Sequence, residues 1–166
     1  MQASITAIDG AISTPADTTL VAHSASGLVA PIVAGRRQVS ELVLVAALMQ
    51  VPGYSWVAQR EAQKSAQHTE FFLMHEPRIL VDAQGNWTWR TEDGAKVFYN
   101  DCEPADAVCS QDRAVSRDWA IRTAREQFDA TIEEFDASHS PFWSRPADLA
   151  ELLTESRRVA CFEEVI

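Results

Sequence analysis

Basic residues are scarce in this chain and unevenly placed. Against 24 Asp and Glu stand 14 Lys and Arg over 166 residues, a formal charge of −10. Only Lys64 and Lys96 are lysines. Every contact to a backbone phosphate needs a positive group, so direct nucleic-acid binding or an anionic membrane is not expected. No base precedes Arg36, and residues 1–35 are therefore not expected to supply a secretory leader, which needs a positive n-region. Long apolar runs are missing too. The longest, Leu42–Met49, is far shorter than the roughly 20 residues a membrane helix requires. A cytoplasmic, membrane-free location is the expectation.

Other absences bear on chemistry. The three cysteines, Cys102, Cys109 and Cys161, leave one unpaired in any disulfide scheme, which suits a reducing compartment. Only six glycines occur and none cluster, so no phosphate-cradling loop is present. Neither GxSxG, HExxH nor a paired Cys/His signature appears. The six residues between Cys102 and Cys109 exceed the usual spacing of structural zinc ligands. Asp101, Glu103, Asp106 and Asp112 offer oxygens to a hard cation but lack the alternating pattern of an EF-hand. His68, Glu70, His75 and Glu76 crowd together, yet a strand over 69–75 would point the two histidines to opposite faces. No metal or other cofactor is expected.

What is present reads as an α+β domain. Residues 1–35, rich in Ala, Ser and Thr, suggest an extended or weakly ordered N-terminal arm, with 36–166 as a single domain. Ser40-Glu41 and the apolar run after it predict a buried helix over about 40–51, with a strand as the alternative because short apolar runs do not discriminate. Pro52-Gly53 ends it, and Ala58, Ala62 and Ala66 line one face of a helix over about 54–67. Alternation from Phe71 to Tyr99, with turns at Asp82–Asn86 and Glu92–Gly94, predicts a small antiparallel β-meander over about 69–99. Helices over about 113–137 and 146–160 follow, the second opened by Pro146. The class expected is thus a meander packed against four helices.

Charge along the chain offers one functional signal. Residues 1–35 sum to −2, 36–99 to zero and 100–166 to −8. An acidic C-terminal surface edged by aromatics points to a non-enzymatic binding or assembly protein: an inhibitor, immunity protein, regulatory adaptor or phage or mobile-element structural component. Its expected contact residues are Trp119, Glu126, Asp129, Glu133, Phe142 and Trp143, meeting a basic protein surface or a second copy of the chain. The alternative is a small hydrolase or lyase with a histidine base, His68, His75 or His139, in a pocket over the sheet. Of these His139 is the best single candidate, because its segment Ser138–Arg145 reads as a loop.

Overall fold

A computed structural model describes residues 2–102 and 112–160. The chain divides into two compact units, one of Met1–Met74 with Ala114–Glu134, the other of His75–Arg113 with Phe135–Ile166.

The first unit begins with helix α1 (Gln2–Ala11), followed by strand β1 (Thr19–His23), a 3-10 turn over Ser24–Leu28 and helix α2 (Ala30–Arg37). Strand β2 (Glu41–Val45) then pairs in parallel with β1, from Thr19↔Glu41 to His23↔Val45. Two expectations fail here. Residues 1–35 are not an extended arm, since they build α1, β1 and α2. Nor is 40–51 a helix: its apolar run forms β2, because Leu-Val-Leu-Val finds a second apolar strand, Leu20-Val21-Ala22, beside it. Parallel strands read as continuous apolar runs, which is what makes them resemble buried helices in sequence. Ile5, Ile12 and Val33 form the core beneath, with Ile8, Leu20, Val29 and Val39 packed on it.

Helix α3 (Trp56–Gln67) starts at Ser55, whose hydroxyl accepts the Ala58 N–H at 3.2 Å. Buried Gln59 closes the preceding loop by donating to the Met49 carbonyl and accepting from the Val51 N–H, both at 2.7 Å. Helix α4 (Glu70–His75) replaces the first expected strand of the meander. Thr69 caps it, accepting the Phe72 N–H at 3.1 Å, and the buried residues Phe72 and His75 recur at helical spacing. Only the turn at Asp82–Asn86 gives a hairpin, between β3 (Leu80–Val81) and β4 (Trp87–Thr88) in the second unit. Gly85 there takes φ +81°, and Asp82 accepts from the backbone N–H groups of Gln84 and Asn86 and from the Asn86 side chain.

The second expected turn, Glu92–Gly94, lies inside helix α5 (Thr91–Phe98), which buries Asp93 and Val97 at i, i+4. Arg78 donates to the Asp93 carboxylate at 2.8 Å, so the buried acid is paired. The helix expected over 113–137 is shorter, α6 (Arg117–Phe128) in the first unit, closed by Asp129 in a left-handed C-cap at φ +48°. Two proline-led helices complete the second unit, the short α7 (Pro141–Ser144) and the longer α8 (Pro146–Ala160), the latter over the range read from sequence. The antiparallel α+β architecture is therefore corrected: among the described residues the longest strands are a parallel pair joined through a helix, and each sheet has two strands. Among the same residues no helix is long and apolar enough to cross a membrane.

Candidate functional site

Ser24 directly follows β1 and has φ +52°, a left-handed conformation that non-glycine residues adopt at a cost of about 1–3 kcal/mol. Three features hold it there. The Ser26 hydroxyl accepts the His23 N–H at 2.8 Å and donates back to the His23 carbonyl at 2.6 Å, locking the turn across the serine. The Ser24 carbonyl accepts the Leu48 N–H at 2.9 Å, tying the turn to the segment leaving β2. Gly27 lets that segment approach, because a Cβ at 27 would lie 2.5 Å from the Leu48 carbonyl oxygen and 2.8 Å from the Ala47 Cβ. A serine on a strained strand-to-helix turn is the geometry of a nucleophile elbow. Here Ala22 and Ser26 stand where the GxSxG pattern has glycine.

In the second unit His139 is 2% exposed and presents Nδ1 to both oxygens of Asp112, at 3.0 and 3.1 Å. A carboxylate facing Nδ1 favours the tautomer with its proton there, making Nε2 the proton acceptor. The Phe98 ring packs at a tilt against the imidazole, centroids 5.3 Å apart. His139 sits in a fully buried run, Ser138 to Pro141. Asp101 accepts from the Ser138 N–H at 2.8 Å and from the Ser144 hydroxyl at 2.7 Å. Burial pushes the Asp101 carboxyl up, but hydrogen bonds from Ser138, Ser144 and Cys102 together outweigh it and hold it below the usual aspartate value.

The contact residues expected from charge fall in different places. Trp119 is 1% exposed and donates its indole N–H to Gln63 at 3.1 Å, so it is core and not the edge of a surface. Glu126, Asp129 and Glu133 are exposed in the first unit, whereas Phe142 and Trp143 are exposed on α7 in the second. Arg117, Asp118, Ile121, Arg122, Arg125, Glu126 and Glu134 line an open groove of about 480 Å³ on the first unit, with no histidine in its lining. Within it Arg117 and Glu134 pair at 2.5 Å, an exposed bond that holds the Glu134 carboxyl below its ordinary value.

The other two candidate histidines are buried within the fold. His68 is buried, stacked on Phe72 at 4.2 Å, with Nδ1 3.2 Å from the Ala114 carbonyl. His75 is buried at the end of α4. Cys109, Cys161, Glu103 and Asp106 lie outside the described residues; among those described, no group of three or more His, Cys, Asp or Glu is arranged to hold a metal. Ser24 was missed at the sequence level. Its signals were a β-prone run, Thr19–His23, running straight into a serine and then a glycine three residues on.

Along the chain Ser24 comes first, then Asp112, then His139. No curated protein matches the chain, but the family model of the alpha/beta hydrolase family matches residues 2–152. That match overturns the regulatory, inhibitor and assembly reading drawn from charge, and with it the α+β class, and it favours the hydrolase alternative. The chain belongs to the alpha/beta hydrolase family.

Proposed function

We propose that this protein is a serine hydrolase of acyl compounds, with Ser24 as nucleophile, His139 as general base and Asp112 as the acid that orients the imidazole. Ser24 Oγ attacks the acyl carbonyl and gives its proton to a general base, the role for which Asp112 prepares His139 Nε2. The tetrahedral intermediate collapses, the leaving group departs with that proton, and an acyl-serine remains. Water, deprotonated by the same Nε2, then attacks the ester carbonyl and releases the acid and free Ser24. The N–H of Ala25, the residue after the nucleophile, is the position this family uses as one oxyanion donor.

The observation that carries the reading is the buried His139 imidazole set by Nδ1 against Asp112, 27 residues earlier in the chain. An acidic surplus alone gives no reason for a buried histidine to be oriented in this way. The test is hydrolysis of a panel of p-nitrophenyl esters by the wild type, Ser24→Ala, His139→Ala and the double variant. If the residues act as one unit, each single variant loses nearly all turnover and the double variant loses no more than either. Ser24→Ala turning over these esters at the wild-type rate would remove Ser24 from the mechanism.

A further inference from the structure

The chemistry of Asp101 is absorbed neither by the fold nor by the catalytic roles above. It is half-buried at the end of the segment leaving α5, and Asp112 already serves as the carboxylate on the imidazole. Yet one Asp101 oxygen, Oδ2, receives both the Ser138 N–H and the Ser144 O–H, from residues lying on either side of His139 in sequence. Its other oxygen faces the Cys102 thiol at 3.5 Å. The bracket is reinforced locally. The Ser138 hydroxyl lies 3.5 Å from the Phe98 carbonyl and accepts the Ser140 N–H at 3.3 Å, and the Phe98 ring is the one packed on His139.

We infer that Asp101 is the positioning residue of the histidine loop: through Oδ2 it ties Ser138 to Ser144 and so sets the imidazole against Asp112. The inference deepens the hydrolase reading and rests on it for its catalytic meaning. A loop without regular strand or helix at Ser138–Ser140 has no ladder of its own to fix the ring. Charge-assisted hydrogen bonds are roughly twice as strong as neutral ones and short enough to define direction. A carboxylate that accepts from both flanks of the histidine therefore fixes the ring without touching the reacting atoms. Displacing a general base by about 1 Å can cost on the order of 10²-fold in rate, so this placement has a kinetic consequence.

The experiment compares wild type, Asp101→Asn and Asp101→Ala by two readouts. One is the rate of covalent labelling of Ser24 by a fluorophosphonate, located by mass spectrometry. The other is the downfield ¹H resonance of the His139 Nδ1 proton hydrogen-bonded to Asp112, assigned by its loss in His139→Ala. Asparagine keeps an oxygen where Oδ2 stands and can accept both hydrogens, so Asp101→Asn should retain the resonance and label far closer to the wild-type rate than Asp101→Ala does. Asp101→Ala should lose or broaden the resonance and label on the order of 10²-fold more slowly. A folded Asp101→Ala protein with wild-type resonance and labelling overturns the inference. Should that variant fail to fold, Ser144→Ala removes one of the two donated hydrogens, and a folded Ser144→Ala protein unchanged in both readouts overturns it equally. Wild-type protein that never labels at Ser24 would sink the hydrolase reading instead, while the resonance comparison still decides the role of Asp101.

Discussion

The turn around Ser24 and the loop around His139 each hold one side chain of the proposed chemistry, and they do so by opposite means. At the turn the backbone is forced: Ser24 sits at φ +52°, and the segment leaving β2 can reach the turn because residue 27 has no side chain. Ser26 adds two hydrogen bonds across the turn, worth about 1 kcal/mol each net, which offset a strain of similar size. At the loop the restraint is polar. Asp112 faces the imidazole and Asp101 gathers both flanks, while the buried chain from Ser138 to Pro141 has little regular structure to hold it. Steric restraint depends on volume and ignores pH. Polar restraint depends on charge and tolerates changes of shape. The two regions should therefore break under different substitutions and conditions.

The largest effect is expected at the polar end. Asp112→Asn keeps the shape but turns an acceptor into a donor toward Nδ1, favouring the wrong tautomer; in serine proteases the equivalent change lowers kcat about 10⁴-fold with little change in geometry. Ester turnover should fall by a similar order with thermal stability nearly intact, and a variant within tenfold of wild type would show that Asp112 does not orient the base. Next in size is the steric end. Gly27→Ala must move the Leu48 carbonyl or the Ala47 side chain, an overpacking cost of about 1–3 kcal/mol. It should lower the unfolding midpoint and slow labelling at Ser24 while leaving the His139 resonance in place, and simultaneous loss of both signals would erase the contrast.

The smallest effect separates the regions by pH. The Asp101 carboxyl lies lower in the folded chain than in the unfolded one. Its contribution is thus fully present above the unfolded value, about 3.9, and is lost as pH falls through the lower folded value. Urea midpoints of wild type and Asp101→Asn should differ most above about pH 4 and converge below it. A gap that stays constant across that range would mean that the charge contributes nothing to the bracket.

Much of the fold is local enough to read from the chain. Pro146, followed by Leu149, Leu152 and Leu153 on one face, announces α8; α3 forms where a helix is expected, but Ala58, Ala62 and Ala66 are exposed and it buries Gln59 and Gln67. The parallel pair is not legible in this way. β2 is as apolar as a buried helix, and the short β-prone run of β1 is surrounded by small polar residues, so their pairing shows only when the two lie side by side. The site divides similarly. His139 is legible as a loop histidine, but Asp112 reads as one acid among many because its partner is 27 residues away and no spacing rule links them. The charge on the C-terminal third describes the surface and says nothing of chemistry, since Trp119, taken as part of that surface, is buried.

Gly27 also bears on how much sequence an elbow requires. The turn holds a methyl at 22 and a hydroxymethyl at 26, the second closing it by hydrogen bonds, whereas a side chain at 27 would meet the chain leaving β2. One glycine, displaced by a single position from its usual place in the signature, is enough to build it. What this turn needs at 27 is a volume left empty opposite the exit of β2, and a string of letters centred on the serine records that volume only indirectly.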